Sequence, residues 1–219
     1  MHRHFDDELN ELKEKLLRMS SLVEDSISLA IKSLRDRSSE LAEKVIHSDS
    51  AINILEIEID ELAVKLLALR QPEASDLRFI ISATKINKDL ERMGDHAVNI
   101  AELSLELLKE PPLKPLIDIP RMADLAQKME KDSINAFVNK DSVLAKQVCE
   151  GDNAVDDLND QIFRELLTYM MQDPKNIQRA LNLIIIAKNL ERVADLSTNI
   201  SEDVIYINSG KVIKHHFEE

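Results

Sequence analysis

The sequence predicts an all-α protein built as two pseudo-symmetric three-helix bundles, six long helices in all. Three observations carry that reading. A polar-rich segment occurs twice, 100 residues apart: Ile86 to Glu102 reads INKDLERMGDHAVNIAE, Ile186 to Glu202 reads IAKNLERVADLSTNISE, and nine of 17 positions are identical. A repeat of that period is a domain-sized duplication, not a solenoid unit. The composition is 44% hydrophobic but only 3% aromatic, with 3 Gly, 6 Pro and no Trp in 219 residues. Leu, Ile, Val, Ala and Met then fill the interior, a mix that suits helix-on-helix packing and leaves few residues for hairpin turns. Finally, apolar residues step by three or four almost throughout, the period of an amphipathic helix.

The elements follow in chain order. Leu9, Leu12, Leu16, Met19, Val23, Ile27, Ala30 and Leu34 make one long helix ending near Arg37. Ser38 or Ser39 caps the next, whose stripe is Leu41, Val45, Ile52, Leu55, Ile59, Leu62 and Leu66. Gln71-Pro72 breaks it, because proline disfavours helix at the preceding residue. A third helix runs from about Ala74 to Lys109. Glu110 to Pro120, EPPLKPLIDIP, holds four of the six prolines and predicts a stiff joint over 110–120, dividing a first repeat (1–109) from a second (121–219). The fourth helix is expected from Arg121 to Asn139. Asp141 caps a fifth reaching about Gln172. Asp173 caps a sixth, with Pro174 at its first position, ending near Asn208. The second helix of each repeat also matches: Leu41/Leu144, Ala42/Ala145, Val45/Val148, Asp49/Asp152, Ala51/Ala154 and Leu55/Leu158 are identical pairs.

Charge excludes several functions. The net charge of -13 and the lack of a Lys/Arg cluster argue against nucleic acid as a partner and against docking to anionic lipid. An acidic surface suits cations or basic partner surfaces. The single cysteine, Cys149, sits in a helical pattern and reads as a small packed residue. The charged N-terminus has no apolar core of a secretory signal, and the longest apolar stretch, Leu183 to Ala187, is too short for a bilayer. The expected location is cytoplasmic, with membrane contact only through partners.

Packing alone does not require the same acids in both repeats. On a helix Glu91, Asp95, Asn99 and Glu102 fall within an arc of roughly 80°, as do Glu191, Asp195, Asn199 and Glu202. Like charges four apart cost a few tenths of a kcal/mol. Lys88 or Lys188, three residues earlier, is one compensation, and a bound cation is another. The second helices carry Asp152, Asp156 and Asn159 on one face, with counterparts Asp49, Asn53 and Glu56. If second and third helices are antiparallel neighbours, these stripes meet. Oxygen donors with few imidazoles suit Mg, Mn, Fe or Ca, while Zn is less natural, although His96 follows Asp95. A single Glu-x-x-x-Asp is commonly just a solvated face; its duplication is the argument for more. The terminal histidines and His47 read as solvent-facing, and so do Asp60 and Glu61. No Gly-rich phosphate loop, Gly-x-Ser-x-Gly, His-Glu-x-x-His or Glu-x-x-His occurs, and Ser20 and Ser21 sit mid-helix with no base in view.

The two repeats, the EPPLKP joint, the LERMGDHAVNIAE run, the QPEASDLR stretch and the paired motifs Glu91-Arg-Met-Gly-Asp95 and Glu191-Arg-Val-Ala-Asp195 together resemble the PhoU family of phosphate-signalling regulators over nearly the whole chain. The resemblance implies a negative regulator of the phosphate-starvation response that is not an enzyme. It would couple the Pst phosphate ABC transporter, through its ATPase subunit, to a PhoR-type sensor kinase, and restrain phosphate uptake. It also implies divalent or multinuclear metal, Fe first and Mn, Mg or Zn after it. The ligands would be Glu91, Asp95, Glu191 and Asp195, with Asp49, Asp152 and Asp156 as second candidates. Asn53 stands where Asp156 stands in the second repeat, so the two sites are expected to be unequal. A homodimer is expected. Two alternatives stay open: an accessory of a low-affinity phosphate transporter, and a carboxylate-bound metal-dependent hydrolase, for which nothing beyond the carboxylates speaks.

Overall fold

The computed structural model describes residues 2–70 and 72–209, with side chains from residue 5 onward; Gln71, in the expected break, lies outside the described residues. Among them there are six α-helices and no strand: α1 (His2–Asp36), α2 (Ser39–Arg70), α3 (Ala74–Leu108), α4 (Asp118–Asn139), α5 (Ser142–Gln172) and α6 (Ile177–Ser209). Helices α1, α2 and α3 pack into one bundle and α4, α5 and α6 into the other. This is the expected all-α, pseudo-symmetric pair.

Local chemistry sets most helix ends. Ser38 Oγ accepts from Leu41 N at 3.3 Å, and Asp141 Oδ1 accepts from Val143 N and Leu144 N at 2.9 and 3.0 Å. Two expectations shift. Helix α4 starts at Asp118, so Pro120 stands inside its first turn, where no backbone N–H is needed and a φ fixed by the ring already suits a helix. The second concerns Asp173, which caps a short 3₁₀ turn, Pro174–Asn176, with α6 proper beginning only at Ile177.

Arg37 and Lys140 follow α1 and α4 at equivalent places, with left-handed φ of 54° and 53°. Only glycine takes this region without strain. Arg37 offsets the strain by donating to the carbonyls of Leu107, Leu108 and Glu110 at 3.4, 2.8 and 2.7 Å, tying α1 to the end of α3. Lys140 contributes backbone groups, its N–H donating to the Phe137 carbonyl at 3.3 Å and its carbonyl accepting from Asn208 Nδ2 at 2.6 Å, and glycine keeps both. Lys140→Gly is therefore expected to raise stability by about 1 kcal/mol. Arg37→Gly should lower it by about 1–2 kcal/mol, because the lost hydrogen bonds outweigh the relief of strain. Urea unfolding midpoints of the two variants check the opposite signs.

The two bundles share one core. Buried apolar residues form a continuous cluster from Leu12 to Ile207. Two antiparallel seams join the repeats. In the α3–α6 seam Lys85 meets Asp203 at 3.3 Å and His96 Nδ1 meets Asn189 Oδ1 at 2.8 Å, so the helices cross near Met93 and Val193. In the α1–α4 seam Ser20 faces Glu130, and Gln127 Nε2 donates to the Glu24 carbonyl at 3.0 Å. Phe79 of α3 stacks on Phe137 of α4, centroids 4.8 Å apart, so two of the five phenylalanines lock one repeat onto the other.

Candidate functional site

The acidic stripes meet pairwise, one set in each repeat. In the first, Asp49 of α2 lies against α3 beside Gly94: a Cβ there would stand 3.6 Å from Asp49 Oδ1 and 3.1 Å from Ile52 Cδ1. Asp95 is raised above the ordinary carboxylate range, chiefly by desolvation, then by the charges of Glu91 and Asp49. Lys88 is 3.5 Å from Glu91 and 3.7 Å from Glu56, the compensation expected from its spacing.

The second set is denser in charge. Asp152 is pushed up to about 6, first by desolvation, then by Asp156, Asp195 and Glu191. Asp156 and Asp195 are raised as well, each chiefly by desolvation and then by Glu191. Lys188 pairs with Glu191, and Arg192 pairs with Asp195 at 3.0 Å. The difference between the sets traces to one residue. Asn53 Nδ2 donates to Asp49 Oδ2 at 2.7 Å, whereas its counterpart Asp156 has no proton to give and adds repulsion at Asp152. The second carboxylate oxygens, Asp49 Oδ1 and Asp152 Oδ1, are buried without a hydrogen-bond partner.

The structure thus brings Asp49, Glu91 and Asp95 into one electrostatic set and Asp152, Asp156, Glu191 and Asp195 into another. Among the described residues, no three Asp, Glu, His or Cys side chains are gathered closely enough to hold a metal ion as they stand. Their chemistry still fits a hard cation: every donor is a carboxylate oxygen, two buried oxygens lack a partner, and lysines hold the place of the counter-charge.

Other stripe residues go elsewhere. Asn99 and Glu102 line a groove between α3 and α6, and Asn99 Nδ2 approaches Asn189 Oδ1 at 3.4 Å. His96 is engaged with Asn189 and is not among the groups that shift the acids upward. A neighbouring groove of about 470 Å³ brings Arg92 and Arg192 together with His96, Asp152 and Asp195. The duplicated Glu-Arg pairs, Glu91-Arg92 and Glu191-Arg192, foretell this meeting of arginines only once the helix crossing is known. Desolvation pushes the Cys149 thiol up to about 11, leaving it protonated and inert at neutral pH. His47 is exposed, with Nδ1 2.7 Å from the Glu43 carbonyl, as a solvent-facing histidine should be. The terminal histidines lie outside the residues whose side chains are described. Asp60 departs from a plain surface role, accepting at 3.0 Å from the buried Asn87. No described helix is long and apolar enough to cross a membrane.

Fold and acidic sets together define a duplicated three-helix-bundle protein with carboxylate-bearing second and third helices in each repeat. The PhoU domain model matches twice, over residues 16–104 and 119–204. The chain is 45% identical over 213 residues to the phosphate-specific transport system accessory protein PhoU homolog of Aquifex aeolicus, covering 97% of this chain and 96% of that protein. The crystal structure of PhoU from Pseudomonas aeruginosa superposes with a TM-score of 0.91 at 41% identity, covering 94% of this chain and 100% of that one. The phosphate transport system regulatory protein PhoU from Streptococcus pneumoniae gives 0.88 at 32%, covering 96% and 99%. The chain belongs to the PhoU family.

Proposed function

We propose that this protein is an accessory of a phosphate-specific transport system that represses the phosphate-starvation response, acting in the cytoplasm as a non-catalytic adaptor. Its partners on this reading are the ATPase subunit of a Pst transporter and a PhoR-type sensor kinase, and it acts as a homodimer. The observation that carries the reading is near-full-length similarity, 45% identity over 97% of the chain, to a protein bearing the accessory name. The site agrees with an adaptor: its acids lie on α2, α3, α5 and α6, and the groups they pair with are Lys88, Lys188, Arg192 and the Asn53 amide. Divalent cations, Fe before Mn, Mg or Zn, would take the place of Lys88 and Lys188 as counter-charge. Glu91, Asp95 and Asp49 would hold one site, and Glu191, Asp195, Asp152 and Asp156 the other. Asn53 makes the first the weaker, since a neutral amide coordinates less strongly than a carboxylate.

The test is alkaline phosphatase activity in phosphate-rich medium, in a host deleted for its own homologue and carrying its native kinase. Expression of this chain is expected to restore repression, and a Glu191→Ala/Asp195→Ala double variant to lose most of it. Sustained high activity with the well-expressed parent chain would sink the regulatory assignment.

A further inference from the structure

Glu130 is fully buried on α4, inside the seam that joins the two repeats. Among the described residues its carboxyl has one hydrogen-bond partner, Ser20 of α1, whose Oγ donates to Oε1 at 2.6 Å, while Oε2 is buried without one. The repeats show that the position does not need an acid. Arg37 and Lys140 close α1 and α4 at equivalent places, and counting back ten residues from each places Ile27 at the position of Glu130. Ile27 is just as buried, so an aliphatic side chain satisfies the packing there. A fully buried carboxyl with a single donor is stable only as the neutral acid, because a buried unpaired charge costs several kcal/mol.

We infer that opening of the α1–α4 seam is coupled to release of one proton from Glu130, making this pair a proton-operated clasp between the repeats. Ser20 supplies the hydrogen bond that seats the acid, and among the described residues no cation is paired with it. The charges acting on it are Glu24, across the seam on α1, and Lys131, beside it on α4; no charge on α5 or α6 is among them. Lys131 is itself turned to Glu24 at 3.5 Å. Burial, the largest cause, pushes Glu130 from 4.5 up to about 8.

The sign follows from the two protonation states. Closed, the seam keeps the proton up to about pH 8; open, the same carboxyl ionises near 4.5. Between those values rising pH favours opening, by about tenfold per pH unit, and above about pH 8 the dependence stops.

Hydrogen exchange of the full chain is the test, taken as the ratio of wild-type to Glu130→Gln rates so that intrinsic pH effects cancel. From about pH 6 to about pH 7.5 the ratio is expected to rise roughly thirtyfold in the seam-facing parts of α1 and α4, with little change in α2 and α5. A flat ratio, or an equal rise in all helices, overturns the seam coupling. Carboxyl carbon NMR of the wild type keeps the claim testable if the variant does not fold. A Glu130 midpoint above about pH 7 supports it, and one near the ordinary glutamate value overturns it.

Discussion

Phe137→Ala is expected to destabilise the protein by about 3–5 kcal/mol, the largest single-residue effect we expect. Phe137 is among the largest fully buried side chains, and its ring lies nearly parallel to Phe79, 11° between planes. Truncation leaves a cavity at the junction of the repeats and removes the partner of a second ring. The surroundings cannot collapse easily, because Phe79 and Phe137 are fixed on helices of different bundles. A double-mutant cycle with Phe79→Ala should give a coupling of about 0.5–1.5 kcal/mol beyond the burial of either ring. Urea denaturation measures both. A cost under about 1 kcal/mol for Phe137→Ala would show that the stack does not hold the repeats together.

Asp152→Asn is expected to stabilise the chain in chelator and to blunt its response to cations. Asp152 is the acid most strongly raised within its set, sitting in the field of Asp156, Asp195 and Glu191 without the amide donor that Asn53 gives Asp49. Removing its charge relieves both desolvation and repulsion, worth about 1 kcal/mol once solvent screening is allowed for, or about 2–4 °C in melting temperature. Added Mn²⁺ or Fe²⁺ should raise the wild-type melting temperature, since a cation that binds only the folded state stabilises it. The gain should shrink in Asp152→Asn and less in Asp49→Asn. Equal shifts in wild type and both variants would exclude these carboxylates as the binding groups.

Much of the fold was legible because its signals are local. The periods of Leu9 to Leu34 and Leu41 to Leu66, the Asp141 cap and the Pro-rich joint each act within a few residues, and each duplicated segment repeats the message. The two shifts were also local: Pro120 was read as part of a breaking joint where its missing N–H suits a first turn, and Pro174 was read as opening an α-helix where it opens a 3₁₀ turn. The acidic sets were half legible. Spacing placed Glu91 and Asp95 on one face, and the antiparallel α2–α3 and α5–α6 neighbours then supplied Asp49 and Asp152. The full stripe was too broad, because the crossing of α3 and α6 draws Asn99 and Glu102 toward a different neighbour. Ser20 looked idle because its partner, Glu130, lies 110 residues away in the other repeat. No period or motif encodes that meeting.

The two antiparallel seams have the form of an isologous two-fold interface, the kind that pairs two copies of one subunit. In such a dimer every substitution appears on both sides of the axis, so an acid at position 130 would come with a second acid at its mate. Joined through 110–120, the halves form a fixed one-to-one pair at a high effective concentration, and each side of the axis mutates alone. The seam can then hold Glu130 against Ile27, and the flanks Asp156 against Asn53. Covalent fusion has turned a symmetric joint into one whose two sides can differ.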